Sequence, residues 1–366
     1  MLNVIKISLP ECCRILCISD IHTHWREMDK LLKQCNYCAG EDYLFILGDI
    51  LERGEDNIDA LRYVMKLAKE ERVVVISGNN DMFVHDFAVR YSEEKFHERF
   101  TKKPNRCFVQ MGEAIGITDY ADSTVQKRRA VYEAFRPEID FVKGLPDAIE
   151  TDSHVFVHAG IEGQDWHAMD AARAKNIKRF PNLGHESEKT VVCGHVPCYG
   201  IGRQNSNLPI LDEMRRIIAI DGGAGVKQAS QVNAVIINKC GGEYSYETEF
   251  CPIGEPKTVL ADHTGREGWS FSDYSRHLFT QIPFEPGNSL SGFVKIQNKE
   301  TGEQGVVPEC FSGYWDGSWH AWGNLNAFPS VKKGEPIWTY AEYGDYCWCI
   351  TADGEVGSVP KSIISE

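Results

Sequence analysis

Residues 43–54 read YLFILGDILERG, an apolar run that ends in a glycine, an aspartate and, four residues later, an arginine. The run at positions 43–47 has the length of a buried β-strand, and Gly48 and Asp49 follow where that strand would end. Ligands of α/β sheets bind beyond the carboxyl ends of their strands. The stretch therefore predicts a buried strand that delivers Asp49 and Arg53 to a functional site.

Similar apolar runs recur along the first two thirds of the chain, at residues 14–19, 73–77, 155–158, 191–193 and 217–220. Helical patterns separate several of them. The clearest is residues 56–71, where apolar positions follow three-and-four spacing. Near-continuous apolar strands alternating with helices predict a sheet covered on both faces, and so a layered α/β architecture.

Composition limits the partners. The chain has 366 residues with 42% apolar content, enough for two to three domains, and a net charge of −14 from 53 acidic and 39 basic residues. This charge argues against a nucleic acid or membrane partner, so a phosphate ligand would be held by local groups or metals. No apolar run approaches the roughly 20 residues that span a bilayer, and the first 20 residues lack a leader pattern. We expect a cytoplasmic protein.

The chain has 13 cysteines, an odd number, and many of them lie in apolar runs with the pattern of a β-strand, as Cys17, Cys193 and Cys349 do. We expect buried, reduced thiols. Cys35 and Cys38 form a C-x-x-C pair without a second pair or nearby histidine, so we favour a structural role over metal or redox chemistry.

Polar residues follow five of the predicted strands. They occur in the steps Asp20-Ile21-His22, Gly48-Asp49, Gly78-Asn79-Asn80-Asp81, His158-Ala159-Gly160 and Gly194-His195-Val196-Pro197. We expect these side chains at one edge of one sheet. Carboxylates combined with imidazoles suit a pair of divalent first-row metal ions, and the lack of thiolates argues against a structural zinc site. Arg53 has the planar fork that grips phosphate oxygens.

The ordered set D-x-H, G-D-x-x-x-R-G, G-N-x-(D/E), H-A-G and G-H-x-P resembles the calcineurin-like metallophosphoesterases, within them the serine/threonine protein phosphatase branch. The resemblance covers about residues 12–245, including Ile220-Asp221-Gly222-Gly223. It implies a layered αββα sandwich. It also implies that Asp20, His22 and Asp49 hold one metal ion and that Asp49, Asn79, His158 and His195 hold a second. Arg53 would bind the substrate phosphate, and a metal-bridging hydroxide would attack phosphorus. Mn²⁺ is favoured over Fe or Zn.

Two positions depart from that branch. Asn80 stands where its members carry a histidine that protonates the leaving group, and Glu52 stands where an aspartate orients that histidine. Loss of a general acid costs typically 10²- to 10⁴-fold for a poor leaving group, and little for an acidic one. Asn80 therefore argues more against a protein phosphatase than against a hydrolase.

Asn80 itself remains a candidate catalytic and substrate-binding residue. His24 is the nearest imidazole that could act as proton donor, although an ordinary capping histidine is the stronger interpretation. The branch's second phosphate-binding cation has three candidates here, Arg173, Lys178 and Arg179, and their spacing does not choose among them.

We expect the phosphoesterase domain at residues 1–252, with a cap or lid insertion at 85–150 and a linker at 253–275. In the tail, residues 302–308 and 354–360 share the pattern G-E-x-G-x-V-P. This looks like two small all-β SH3-like barrels, at residues 276–325 and 326–366, the second resembling bacterial SH3 modules. Aromatic residues of the tail could line a groove for a peptide or cell-wall-like ligand, namely Tyr340, Tyr343, Tyr346 and Trp348, although packing is favoured for most tail aromatics.

Three functions stay open. The first, which we favour, is a two-metal phosphoesterase of the serine/threonine-phosphatase-like branch that hydrolyses a phosphorylated protein or a small phosphate ester, with the tail recruiting or orienting a partner. The second is hydrolysis of dinucleoside polyphosphates or other small phosphodiesters. The third, motivated by Asn80 and Glu52, is a regulatory or scaffold protein that binds metals but has attenuated chemistry.

Overall fold

The structure is a computed structural model that describes residues 1–178, 180–201, 205–265, 279–285, 287, 290–300, 302, 304–309, 312–315, 318–321 and 327–366. The chain divides into two compact units. The first contains Met1–Val196, Pro209–Val226 and Val232–Cys251, and the second contains Pro197–Leu208, Lys227–Gln231 and Pro252–Glu366. No helix in the described part of the chain is long and apolar enough to cross a membrane.

Strands of the first unit form two sheets. In chain order they are β1 (Val4–Lys6), β2 (Cys12–Ile18), β3 (Tyr43–Ile46), β4 (Val73–Val75), β5 (Ala148–Glu150), β6 (His154–Val157), β7 (Thr190–Cys193), β8 (Ile210–Asp212), β9 (Ile217–Ala219), β10 (Gln231–Cys240) and β11 (Glu243–Pro252). One sheet has the order β1-β5-β6-β7-β9-β8 and the other β11-β10-β2-β3-β4. β2, β3 and β4 are parallel, as are β6, β7 and β9. All six strands expected from apolar runs are present.

The two sheets share one hydrophobic core. Buried residues of both contribute to it, among them Ile15 of β2, Val192 of β7 and Ile218 of β9. The rings of Phe45 on β3 and Phe156 on β6 meet edge to face with centroids 4.8 Å apart. The expectation of a single sheet edge is therefore corrected. The candidate ligands follow strands of two sheets, because apolar run length predicts that a strand is buried but not which strands pair.

The helices of the first unit alternate with its strands along the chain. They are α1 (Trp25–Gln34), α2 (Asn57–Leu67), α3 (Phe83–His85), α4 (Glu93–Lys102), α5 (Arg106–Glu113), α6 (Thr124–Ala134), α7 (Arg136–Gly144), α8 (Ala171–Ala174) and α9 (Phe180–Leu183). α2 is the helix expected at residues 56–71, and its buried Leu61 and Val64 follow the predicted spacing. It ends at Leu67, and the chain turns at Arg72, which has a positive φ of 65°.

Helices α3 to α7 lie between β4 and β5, in the segment expected as an insertion. α4 begins after Ser92, whose hydroxyl accepts a hydrogen bond from the Lys95 amide, and α5 begins after Asn105 in the same way. Aromatic rings of Phe87, Phe96, Phe108 and Tyr120 pack with centroids 5.2 to 5.8 Å apart. The insertion has its own apolar core, and its role as a lid stays a prediction.

The C-terminal region is all-β. Its strands are β12 (Glu255–Thr258), β13 (Phe279–Ile282), β14 (Phe293–Asn298), β15 (Gln304–Pro308), β16 (Ser312–Trp315), β17 (Ser318–Ala321), β18 (Pro336–Tyr343), β19 (Tyr346–Ile350) and β20 (Val356–Pro360). They form one sheet with the order β15-β14-β13-β17-β16 and another with the order β12-β18-β19-β20. β12 lies in the segment expected as a linker. The two copies of the repeated pattern end in equivalent strands, because β15 pairs with β14 as β20 pairs with β19.

Candidate active site

Asp49 lies at the centre of the candidate site, in the loop after β3, and is 2% exposed. Its Oδ1 accepts a hydrogen bond from the Asn80 backbone amide at 2.8 Å, and its Oδ2 accepts one from Asn80 Nδ2 at 2.6 Å. His22 Nε2 lies 3.5 Å from Oδ2. On the opposite side, His158 Nε2 lies 3.5 Å from Oδ1. Each carboxylate oxygen of Asp49 therefore faces a different imidazole, as a carboxylate bridging two ions requires.

Backbone carbonyls fix the orientation of both imidazoles. His22 Nδ1 donates to the Leu51 carbonyl at 2.9 Å, and His158 Nδ1 donates to the Leu47 carbonyl at 2.9 Å. In a neutral ring this leaves Nε2 as an acceptor that faces the Asp49 carboxylate, also an acceptor. Burial lowers the pKa of His22, which favours this neutral form. A cation between the facing acceptors would satisfy both, so the donor set fits a metal ion.

The remaining candidate ligands lie around this centre. Asp20 accepts hydrogen bonds from the Ser19 hydroxyl and, at 3.0 Å, from the His195 backbone amide. Asn79 Oδ1 lies 3.2 Å from His158 Nε2, and the rings of His158 and His195 are 5.2 Å apart. One ligand atom each from Asp20, Asp49 and His158 lies within 4.8 Å of the other two. The structure thus brings together all six residues that the sequence singled out.

Buried negative charge is concentrated here. Asp20, Asp81 and Asp221 are buried together with Asp49. Burial, reinforced by the Asp49 charge, raises the pKa of Asp20 and raises that of Asp81 to about 6; burial and the Asp20 charge raise the pKa of Asp221. Buried carboxylates are stable when paired with cations. Two divalent cations would balance this charge.

Neutral imidazole is also favoured at His195. Burial, followed by the neighbouring His158, lowers the pKa of His195 to about 4. The unprotonated ring is the form that binds metal ions. His195 is therefore available as a ligand at neutral pH.

Asp81 has a role that the sequence did not predict. Its carboxylate accepts hydrogen bonds from the backbone amides of Asp49 at 2.9 Å, Ile50 at 2.9 Å, Leu51 at 3.1 Å and Gly78 at 2.8 Å. Asp81 therefore ties the loop after β3 to the loop after β4. The available signal was its place at the end of the Gly78-Asn79-Asn80-Asp81 step.

Strained backbone is concentrated at the site. In the described residues, eleven non-glycine residues have positive φ, and seven of these lie in the site loops: Asp20, His22, Thr23, Asp49, Glu52, Arg53 and His195. Such conformations persist where the surroundings fix them, commonly at functional sites. Glycines allow the close approach, since a Cβ on Gly78 would overlap the Asp49 carboxylate and one on Gly194 would overlap that of Asp20.

Cations near the site differ in their surroundings. Arg53 is exposed, and its charge adds to the burial that lowers the pKa of His22 and His195. Lys178 is exposed, and its charge also lowers the pKa of His195. Arg173 Nε instead donates to Glu162 Oε2 at 2.9 Å on the surface, and Arg179 lies outside the described residues. His24 Nδ1 donates to the Ile21 carbonyl at 3.0 Å, at the start of α1, and its role as proton donor stays a prediction.

Glu52 contacts the insertion. Its buried carboxylate accepts hydrogen bonds from Asn105 Nδ2 at 2.7 Å, the Cys107 amide at 3.0 Å and the Arg106 amide at 3.2 Å. These groups form the N-terminal end of α5. Glu52 therefore anchors α5 beside Arg53, which explains why glutamate occupies this position.

In the second unit, two of the four aromatic residues proposed for the groove are buried. Trp348 is 2% exposed and Tyr343 is 8% exposed, and the Tyr343 hydroxyl lies 2.7 Å from Ser358 Oγ. Tyr340 donates from its hydroxyl to the Ser230 carbonyl at 2.7 Å. Tyr346 is half-buried and packs edge to face on Phe293 at 5.2 Å. A ligand groove at these residues stays a prediction, with Tyr346 and Tyr340 as its more accessible members.

The family model described as calcineurin-like phosphoesterase matches residues 13–235, more than half of the chain. This chain belongs to the calcineurin-like phosphoesterase family. It is therefore a member of a family of phosphate-ester hydrolases that use divalent metal ions.

Individual relatives either match a shorter region of the chain than the family model does or align over a longer region at low sequence identity. The symmetrical bis(5'-nucleosyl)-tetraphosphatase of Proteus mirabilis is 32% identical over 88 residues, which are 24% of this chain and 32% of that relative. The chain thus matches about a third of the relative's length. A solved candidate diadenosine tetraphosphatase covers 68% of this chain and 98% of its own at 16% identity, with a TM-score of 0.45. The structure of a serine/threonine phosphatase from Saccharomyces cerevisiae covers 68% of this chain and 83% of its own chain at 10% sequence identity, with a TM-score of 0.39.

Proposed function

We propose that this chain is a two-metal phosphohydrolase whose preferred substrates release a phosphate-type leaving group, such as dinucleoside polyphosphates. The observation that carries the proposal is the environment of Asn80. Its amide donates to Asp49, and a carboxamide has no acidic proton to give to a leaving group. The neighbouring Asp81 carboxylate is occupied by four backbone amides. A leaving group that departs as a stable anion does not need the missing acid.

The roles of the side chains follow from their positions. Asp20, His22 and Asp49 would hold one ion, and Asp49, Asn79, His158 and His195 the other, with Mn²⁺ favoured. When bound, two divalent ions polarise a phosphoryl oxygen and lower the pKa of water. Arg53 grips the non-bridging phosphate oxygens, and the second N–H of the Asn80 amide donates to the same phosphate.

The bis(5'-nucleosyl)-tetraphosphatase relatives support this substrate class, over the third of their length that aligns. The serine/threonine phosphatase branch stays a prediction, and Asn80 argues against it because serine and threonine are poor leaving groups. The remaining alternative is a scaffold protein that binds metals but has attenuated catalysis, and an activity assay tests it.

The test is a comparison of substrates. Purified protein with Mn²⁺ is assayed on diadenosine tetraphosphate, bis-p-nitrophenyl phosphate, p-nitrophenyl phosphate and a phosphoserine peptide. We expect kcat/KM for the tetraphosphate to exceed that for the peptide by about 10²-fold or more. Equal or faster turnover of the peptide would overturn the substrate class. Two bound metals without turnover in Mn²⁺, Fe²⁺, Zn²⁺, Co²⁺ or Ni²⁺ would favour the scaffold.

For the all-β region we propose two SH3-like repeats that bind a partner or an extended ligand. Equivalent β14–β15 and β19–β20 hairpins support a repeat. The proposal predicts that soluble peptidoglycan fragments or proline-rich peptides shift the amide resonances of residues 336–360. No shift with either probe would remove this role.

A further inference from the structure

Cys12 and Cys240 lie opposite each other on neighbouring antiparallel strands, at the first residue of β2 and the last of β10. The Gly241 amide donates to the Glu11 carbonyl at 3.2 Å, so residues 11 and 241 form a hydrogen-bonded pair. Such pairs alternate along antiparallel strands with non-hydrogen-bonded pairs, whose Cα atoms are closer, about 4.5 Å apart. Cys12 and Cys240 occupy one of these close positions.

Their side chains meet on the same side of the sheet. The two Sγ atoms are 2.9 Å apart, and both residues are exposed to solvent. A Cα separation of about 4.4–6.8 Å permits a disulfide bond without movement of the backbone. Both thiols are free, but the exposure of this pair differs from the burial expected from the sequence. Elsewhere among the described cysteines, Cys17 and Cys193 fit that expectation.

We propose that Cys12 and Cys240 are a modification site, forming a reversible disulfide by exchange with a small-molecule disulfide such as oxidised glutathione. One cysteine thiolate attacks a sulfur of the oxidised glutathione, forming a mixed disulfide and releasing one glutathione thiolate. The second cysteine thiolate then attacks the protein sulfur of the mixed disulfide, forming the Cys12–Cys240 bond and releasing the second glutathione. The two protein thiols lose two electrons and two protons, and oxidised glutathione becomes two glutathione thiols.

The bond would enclose a long stretch of chain. Residues 12 and 240 flank every proposed metal ligand, from Asp20 to His195. Cross-linking restricts the unfolded chain and so stabilises the folded protein. Cys12 is the first residue of β2, and Asp20 follows its last residue, Ile18, so the length of the strand separates them, roughly 20 Å at about 3.3 Å per residue. The bond is therefore expected to raise the Tm without changing metal binding.

The experiment treats the full chain with oxidised glutathione, alkylates the remaining thiols and maps the peptides by mass spectrometry. We expect a cross-linked peptide containing Cys12 and Cys240, lighter by two hydrogens than the sum of its parts. We expect the Tm to rise by several degrees and to return when a reductant is added. Affinity for Mn²⁺, measured by calorimetry, stays the same.

Three variants provide the controls. Cys12→Ser and Cys240→Ser each abolish the cross-link and the Tm shift, whereas Cys38→Ser, at another exposed cysteine, keeps both. Separate glutathione adducts on Cys12 and Cys240 without a cross-link would overturn the proposal, as would a Tm shift that survives Cys240→Ser. The mass and Tm readouts, which decide the proposal, do not depend on the proposed enzymatic function.

Discussion

Asp49 is the residue on which the candidate metal centre depends most directly, because both of its oxygens face imidazoles. Asp49→Asn keeps the shape and removes the charge. We expect it to lower turnover of bis-p-nitrophenyl phosphate by about 10³-fold or more and to abolish tight Mn²⁺ binding in calorimetry. Asp29→Asn is the matched control, because the half-buried Asp29 pairs with Lys33 and the Tyr63 hydroxyl and is not a candidate ligand. Retained Mn²⁺ affinity in Asp49→Asn would contradict the assignment.

Glu150 should make the stability of the folded protein depend on pH. Its carboxylate accepts from Lys189 at 2.9 Å and lies 3.0 Å from His167 Nε2. Burial acts to raise the pKa of Glu150, but Lys189 and His167 outweigh it and hold the pKa to about 2. A depressed carboxyl pKa stabilises the folded state above the unfolded value of about 4.3, and this stability is lost as pH falls toward 2.

We therefore expect Glu150→Gln to lose about 1–3 kcal/mol of unfolding free energy at pH 7. The difference in unfolding free energy between the wild-type protein and Glu150→Gln should narrow steadily from pH 5 to pH 3. Urea denaturation in EDTA measures both values without a metal contribution. Glu243→Gln, at an exposed position, should be neutral throughout. A gap independent of pH would show that the ion pairs do not stabilise the fold.

Residue roles could be predicted where chemistry and position coincide in the sequence. Asp20, Asp49 and His158 each follow an apolar run, so their place at strand ends was predictable. The roles of Asp81 and Glu52 were not, because they depend on distant partners. Glu52, for example, bonds the Cys107 amide, 55 positions along the chain. Residue type alone does not identify such a partner.

At the scale of elements, the contact between Glu52 and the start of α5 links the insertion to the Arg53 loop. Glu52→Gln retains only one acceptor oxygen for three donors. We expect a loss of about 1–3 kcal/mol in unfolding free energy, faster hydrogen exchange at residues 105–113 and a several-fold higher KM. Mn²⁺ affinity should stay unchanged, because Glu52 is not a proposed ligand.

Glu55→Gln is the control for this variant. Glu55 also contacts α5, pairing with Arg106, but its side chain is 81% exposed. Exposed ion pairs contribute little, so its stability should change by at most about 0.5 kcal/mol. Equal effects of the two variants would show that Glu52 is not an anchor.

Element positions were more predictable than their pairing. Apolar runs located β2, β3, β4, β6, β7 and β9 to within one or two residues, because burial on both faces removes polar alternation. The same lack of alternation hides the partner of each strand. The division into two sheets is therefore visible only in tertiary contacts, such as the core in which Phe45 of one sheet packs with Phe156 of the other.

At the scale of the whole molecule, the second unit takes segments from the middle of the chain. The expected boundaries treat residues 1–252 and 253–366 as consecutive domains, whereas Pro197–Leu208 and Lys227–Gln231 group with Pro252–Glu366. Backbone contacts hold the first segment there, since the Val356 amide donates to the Asn205 carbonyl at 2.7 Å. Composition shifts mark a boundary along the chain but do not reveal such an exchange.

Pro197–Leu208, a segment of the second unit, begins two residues after the candidate ligand His195 in the chain, and this connection motivates a test. Gly354 has a φ of +86°, and a Cβ there would lie 2.9 Å from the Leu208 side chain. Gly354→Ala should therefore displace Leu208 and loosen the chain that follows His195. We expect several-fold weaker Mn²⁺ binding by calorimetry and a similar loss in kcat/KM.

Gly334→Ala separates this effect from backbone strain. Gly334 has a φ of +91° in the same unit, and among the described residues, its chain neighbours aside, no atom lies within 4 Å of the position that a Cβ would occupy there. Both alanines carry a backbone strain of about 1–2 kcal/mol, and Gly354→Ala adds the displacement of Leu208, so its Tm should fall further than that of Gly334→Ala. Only Gly354→Ala should weaken Mn²⁺ binding, because only it meets the segment that continues from His195. Equal Mn²⁺ affinities in the two variants would show that the all-β unit does not influence the metal centre.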